Sequence, residues 1–213
     1  IGNSLPIAEL VFSRALFSLI ITRIFLYRFN INPWGFQKGL LLLRGLLGTG
    51  ALFCIFRSLI ILPIATATVI QYIYPTFTAI SAYFILNERI HKNIIYSIIL
   101  GWFGICLVVQ PEMITNESIS GIIISVLIAI SGAILTSLAY ISVRELSKRE
   151  HPLVIIYYFP LISLPLTIPF IVGNFVMPQG IEWLLLLGIG IFTQIGQICI
   201  TEGLRIIPAS LAT

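Results

Sequence analysis

The chain has 213 residues, 58% hydrophobic and 9% charged, with a mean hydropathy of +1.07 and a net charge of +4. Soluble domains carry about 25% charged residues, and eight acidic and twelve basic side chains cannot cover a 23.7 kDa globule. Disorder, an ordinary soluble enzyme and a disulfide-built secreted module are thereby excluded.

Apolar runs able to cross about 30 Å of hydrocarbon are predicted at 5–27, 38–57, 64–86, 94–110, 119–143, 153–172 and 182–201, with an eighth beginning near 208. They do not alternate apolar with polar residues as barrel strands do, so the fold class is an all-α polytopic membrane protein. In the first run Arg14 falls near mid-span. A charge that deep is expensive, and faces a bundle interior, a solute pathway or a partner. Glu9 is expected at the outer interface, and Arg23, Arg28 and Arg44 near the inner one, where long side chains snorkel. Gly45, Gly48 and Gly50 in the second run precede no Lys-Ser/Thr and follow no strand, so helix packing accounts for them better than a phosphate loop. Arg57 and Pro63 are the only punctuation between the second and third runs. Pro63 fits a helix start, where its missing N–H costs nothing.

The third run holds the strongest candidates for solute contact. Gln71, Tyr74, Pro75 and Thr78 form one polar stripe at helical spacing, and Pro75 cannot donate to the carbonyl of Gln71. A kink held by hydrogen bonds to neighbouring helices is the structural alternative. In the seventh run Thr193, Gln194 and Gln197 include an i, i+3 amide pair. Cys54, Cys106 and Cys199 lie singly in apolar runs and read as small buried hydrophobes. His91 and His151 are isolated in loops, so no metal site, cofactor or catalytic set is expected.

Alternate loops divide the base unevenly. Arg28, Lys38, Arg89, Lys92, Arg144, Lys148, Arg149 and Arg205 fall on one side and Arg57 alone on the other, which makes the basic side cytoplasmic. Asn116-Glu117-Ser118 is a glycosylation sequon on the outer side, and chance explains it. The twelve bases are scattered between apolar runs, so they form no nucleic-acid surface; the lipid bilayer is the expected surroundings.

Residues 38–68 overlay 182–212 without a gap, with Leu41-Leu42-Leu43 on Leu185-Leu186-Leu187 and Thr49 on Thr193, while Pro6 meets Pro152 after a two-residue shift. The copies are separated by an odd number of spans and so face opposite ways. Inverted repeats point to alternating-access transport with the pathway at their interface. The overlay implies a ten-helix protein, five plus five, with one helix before Ile1 and the last two largely beyond Thr213. Residues 1–213 alone are not expected to transport, and a homodimer could cover some of the faces left without partners.

Arg44-Gly45-Leu46-Leu47-Gly48, Leu62-Pro63-Ile64-Ala65, Ala67-Thr68, Tyr74-Pro75-Thr76-Phe77, Leu86-Asn87-Glu88-Arg89 and the Gly101/Gly104 helix ending at Pro111 follow one another in an ordered set. This set resembles the EamA-type transporters of the drug/metabolite transporter superfamily. Gly121, Arg144, His151-Pro152 and the turn from Ile206 to Thr213 extend the likeness. It implies two inverted five-helix repeats, here 1–111 and 118–213, in a multi-pass protein of the cell membrane, with a bacterial inner membrane as the expected location. It also implies secondary transport of a small metabolite or drug-like solute, with Glu88-Arg89 as a structural anchor. Arg14, Thr49, Gln71, Tyr74, Pro75, Thr78, Thr193, Gln194 and Gln197 are the candidate pathway residues. A membrane enzyme would need a nucleophile with a base or clustered carboxylates, and the chain has no Asp and two lone His. A non-transporting structural or receptor-like bundle is the remaining alternative.

Overall fold

A computed structural model describes residues 6–88, 92–108, 119–172 and 175–212. The described residues are helical without a strand: α1 (Ile7–Arg28), α2 (Lys38–Ile61), α3 (Ile64–Gln71), α4 (Tyr74–Leu86), α5 (Lys92–Val108), α6 (Ile119–Leu146), α7 (Pro152–Ile171), α8 (Ile181–Ile206) and α9 (Ala209–Ala212). Six stretches among them are long and apolar enough to cross a membrane, with α3 and α4 together making one. Arg89, His91, the sequon, Glu112 and the 111–118 division between the expected repeats lie outside the described residues, as does the side chain of Cys106.

The punctuation works as the sequence suggests at two places. Pro63 directly precedes α3, and its carbonyl accepts from Ala67 N at 3.0 Å. Pro75 has no N–H for Gln71, and the run 64–86 breaks two residues earlier, at Tyr72–Ile73. Elsewhere helices run past their expected ends. Arg57 lies inside α2, exposed, rather than in a loop, because a long cationic side chain can reach headgroups from the last turns of a helix. Arg144 lies inside α6 for a different reason. Its Nη1 donates to the carbonyls of Leu204 at 2.8 Å and Arg205 at 3.0 Å, closing the C-terminus of α8. Cys54 is half-buried and Cys199 is exposed, so neither is the fully buried apolar filler expected.

The chain forms two compact bodies, each discontinuous in sequence. The first comprises 1–49 and 142–206, the second 50–141 and 207–213. Each takes segments from both expected repeats, so the spatial division and the repeat division are different partitions of the chain.

In the first body α1 packs against α7 and α8. Gly190 makes the α1–α8 approach possible, since a Cβ there would sit 2.7 Å from that of Phe17. α7 keeps its helix despite Pro160, Pro165 and Pro169, and ten of its twenty residues are buried, so packing rather than propensity holds it. The turn into α2 is held from far along the chain. Glu150, 6% exposed, accepts from Phe36 N at 2.5 Å and Gln37 N at 2.6 Å, supplying acceptors and negative charge at a helix start. Tyr158 adds a bond from its hydroxyl to the carbonyl of Trp34 at 2.8 Å. His151 N-caps α7, its Nδ1 accepting from Leu153 N at 3.2 Å.

In the second body Leu62, Ala67, Ile70, Ile73 and Ala129 make a small core against Leu59, Phe77, Val126 and Ile130. Glu88, following the left-handed Asn87 that ends α4, accepts from Ala209 N at 2.9 Å and so holds the start of α9.

Candidate functional site

The first body concentrates polar side chains inside membrane-length helices. Gln194 of α8 is 2% exposed and joins two residues of α1: Nε2 donates to Thr22 Oγ1 at 2.8 Å, and Oε1 accepts from Ser18 Oγ. Ser18 and Thr22 are four apart and therefore on one face, so a single amide ties α8 to a full turn of α1. Gln197, one turn further on, accepts from Arg44 Nη2 at 3.1 Å. The two glutamines thus reach different helices rather than acting as one amide pair.

Arg44 is 3% exposed, so its side chain folds into the body rather than snorkelling outward as expected. Its guanidinium carbon sits 4.9 Å from the centroid of Phe159 on α7, and that of Arg14, half-buried, sits 5.8 Å from the same ring. Both distances suit a cation over an aromatic face. Gly48 permits this fold-back: a Cβ there would strike Arg44 Nη1 and lie 3.0 Å from the Phe159 ring. Glu9, in the first turn of α1, is buried too, 2% exposed, and Val176 N from the segment before α8 donates to its Oε2 at 3.2 Å.

The second body treats its candidates differently. Gln71 Nε2 donates to Thr136 Oγ1 of α6 at 3.1 Å, and the Tyr74 ring meets Tyr140 edge-on with centroids 5.5 Å apart. Thr136 and Tyr140 are one turn apart, so Gln71 and Tyr74 keep a common face toward α6 across the helix break. Pro75 leaves that stripe. It lines a cavity of about 390 Å³ with Tyr72, Thr76, Asn93, Ser97 and Ser210, while Trp102 Nε1 donates to Thr76 Oγ1 at 3.2 Å.

The candidate threonines bond to their own helices. Thr49 donates to Gly45 O at 2.8 Å, Thr78 to Tyr74 O at 2.9 Å and Thr193 to Ile189 O at 2.6 Å. This i−4 bond satisfies a hydroxyl without a partner helix. Sequence reasoning missed the inward Arg44 and the tie through Ser18 and Thr22. The i, i+4 pair on α1 was the available signal; nothing local marks Arg44.

The EamA-like transporter family profile matches residues 1–110. The pseudopaline exporter CntI of Pseudomonas aeruginosa is 27% identical over 200 residues, 93% of this chain and 69% of that protein. Solute carrier family 35 member G1 of Mus musculus is 30% identical over 91% of this chain, which spans 55% of that protein's length. The S-adenosylmethionine uptake transporter of Rickettsia prowazekii is 28% identical over 89% of this chain and 63% of that protein. A crystal structure only 17% identical superposes with a TM-score of 0.82, covering 99% of this chain and 74% of that one, which establishes the shared fold. The chain belongs to the EamA-like transporter family of the drug/metabolite transporter superfamily and is a multi-pass membrane transporter.

Proposed function

We propose that the protein is a secondary transporter, moving a small solute across the cytoplasmic membrane of a bacterium by alternating access between two inverted repeats, 1–111 and 118–213. The observation that carries this reading is the buried polar network on α1, α2 and α8. Polar groups are costly inside hydrocarbon, and mark solute and ion paths when they persist there. Gln194 and Gln197 also tie α8 to α1 and α2, and what supports a path beside them is that Arg44 and Gln194 place strongly polar groups inside membrane-length helices.

Arg14, Gln194 and Gln197, with Thr49 and Thr193, are the pathway groups of the first body; Gln71, Tyr74, Pro75 and Thr78 are those of the second. The threonines contribute small polar surface, and the break at Tyr72–Ile73 supplies a joint. The relatives' names support a small-molecule solute, since they include an exporter and an uptake transporter. The test is reconstitution of the full-length protein into liposomes and flux of labelled metabolites against protein-free vesicles. Saturable flux lost on Gln194→Leu but kept on exposed-surface substitutions is the expected result. Flux that stays linear with concentration and equals that of empty vesicles would overturn the proposal.

A further inference from the structure

The connection from α1 to α2 is held from inside and turned outward at its rings. Trp34 N donates to Asn32 Oδ1 at 3.1 Å, the Tyr158 hydroxyl donates to the Trp34 carbonyl at 2.8 Å, and Glu150 takes the N–H groups of Phe36 and Gln37. Its backbone is therefore fixed, yet Tyr27, Phe29, Trp34 and Phe36 are each 60–90% exposed. Large rings held outward by a bonded backbone fit the aromatic belt that lies among lipid headgroups. Bases gather at the same end: Arg23 and Arg28 in the last two turns of α1, and Lys38 as the first residue of α2. Glu150, the carboxylate that the described hydrogen bonds bring to this connection, is buried and taken up by its two N–H groups.

Between the end of α1 and the connection lies a hollow of about 320 Å³, lined by Arg23 and Tyr27 of α1 and by Asn30, Asn32 and Pro33. No described carboxylate lines it. Arg23 is exposed and is not spent on closing its helix. The carbonyls of Phe25, Leu26 and Tyr27 already accept from Phe29 N at 3.0 Å, Ile31 N at 3.0 Å and Asn30 N at 3.2 Å. At the end of α8 that duty falls to Arg144 instead. Asn32 uses its Oδ1 on Trp34 N, which leaves its NH2 group as a donor, and Asn30 sits at a left-handed φ of 54°. A guanidinium fork beside carboxamide donors suits a phosphate oxyanion.

We propose that this hollow seats the phosphate of an anionic phospholipid, with Arg23 and the amides of Asn30 and Asn32 donating to its oxygens. The exposed rings then lie along the glycerol and the upper acyl chains, contacts that a soluble anion would not make. Phosphatidylcholine carries the same phosphate, but its ammonium would enter a basic end of the protein with no carboxylate in the hollow to receive it. The lipid site stands or falls independently of solute flux.

The experiment titrates the purified full-length protein in detergent with phosphatidylglycerol or phosphatidylcholine of the same chains, bound lipid being counted by native mass spectrometry. Phosphatidylglycerol binds at least about fivefold more tightly, and Arg23→Gln loses about fivefold, the effect of one base beside an anionic headgroup. Asn32→Asp keeps the acceptor for Trp34 N but places negative charge in the hollow, and loses more than Arg23→Gln. Asn30→Gly keeps the left-handed turn without the amide and loses about two- to tenfold. Arg57→Gln, exposed on the part of α2 that belongs to the second body, binds like the wild type. If Arg23→Gln fails to fold, Asn32→Asp and Asn30→Gly carry the test.

Equal affinity for the two lipids, or wild-type affinity for phosphatidylglycerol in both Arg23→Gln and Asn32→Asp, overturns the inference. A loss in Arg57→Gln as large as that in Arg23→Gln would reduce the effect to net charge and overturn it too. Glycerol phosphate, the headgroup without its chains, does not displace the lipid at equal concentration. Displacement there would make the hollow a soluble-anion site and overturn the lipid assignment.

Discussion

The two bodies differ in how densely their helices are buried and in which polar side chains tie them. In the first, side chains far apart in sequence hold helices together: Gln194 to Ser18 and Thr22, Gln197 to Arg44, Glu150 to the start of α2. In the second, Gln71 joins Thr136, Trp102 joins Thr76 and Glu88 joins Ala209, while α4 buries three of its thirteen residues where α7 buries ten of twenty; in both bodies hydroxyls also turn back on their own helix. Dense burial, as on α7, holds a helix more firmly than the sparse burial of α4. The sparser burial of α4 is consistent with the joint proposed at Tyr72–Ile73.

The largest effect should come from Glu150→Ala. It strips two partly buried N–H groups of a charged acceptor, at a cost of about 2–3 kcal/mol. Thermal unfolding in detergent should show it, with Glu150→Gln recovering part of the loss. An unchanged melting midpoint would mean that the frame does not depend on this cap. Next come the glycines. Gly190→Ala should cost about 1–3 kcal/mol by driving α8 off Phe17. In the second body Gly101→Ala should be neutral or slightly stabilising, because no described atom lies within 4 Å of its Cβ position. Equal costs at the two sites would erase the contrast in packing.

A third pair sharpens it. Gln194→Leu removes two interhelical bonds and should cost about 1–2 kcal/mol, whereas Gln71→Leu removes one half-buried bond and should cost about 0.6 kcal/mol. A larger loss for Gln71 would show that the second body is pinned as firmly as the first. The smallest effect on stability belongs to Pro75→Ala, within about 1 kcal/mol, since it restores a donor for the Gln71 carbonyl. Its consequence should appear in transport, as a changed rate at constant expression. Wild-type uptake across the solutes tested would show that the joint does not move.

The helices were legible in the sequence because hydrocarbon thickness imposes their length, and Pro63 and Pro75 mark two boundaries, although α7 continues through Pro160, Pro165 and Pro169. Gln194 and Gln197 stood out because an amide in an apolar run has few excuses. Arg44 did not: seven residues into a helix, it looks like an interfacial cation, and only the close approach of α7 over Gly48 turns it inward. Glu9 and Glu150 were missed for the same reason. Their partners, Val176 and the Phe36–Gln37 backbone, lie more than a hundred residues away, and one sequence carries no record of that register.

The reach of Glu150 also orders events during synthesis. It lies 114 residues after the backbone N–H of Phe36 that it caps. At about 5–20 residues per second a ribosome needs about 6–23 s to make that stretch. For that interval α2 sits in the bilayer with its first amides served by water, and α1 has neither α7 nor α8 to pack against. The first body therefore cannot close before the α6–α7 connection emerges. A pause or insertion error in α6 would strand a half-built frame whose polar groups, Arg44 and Glu9 among them, are still facing lipid.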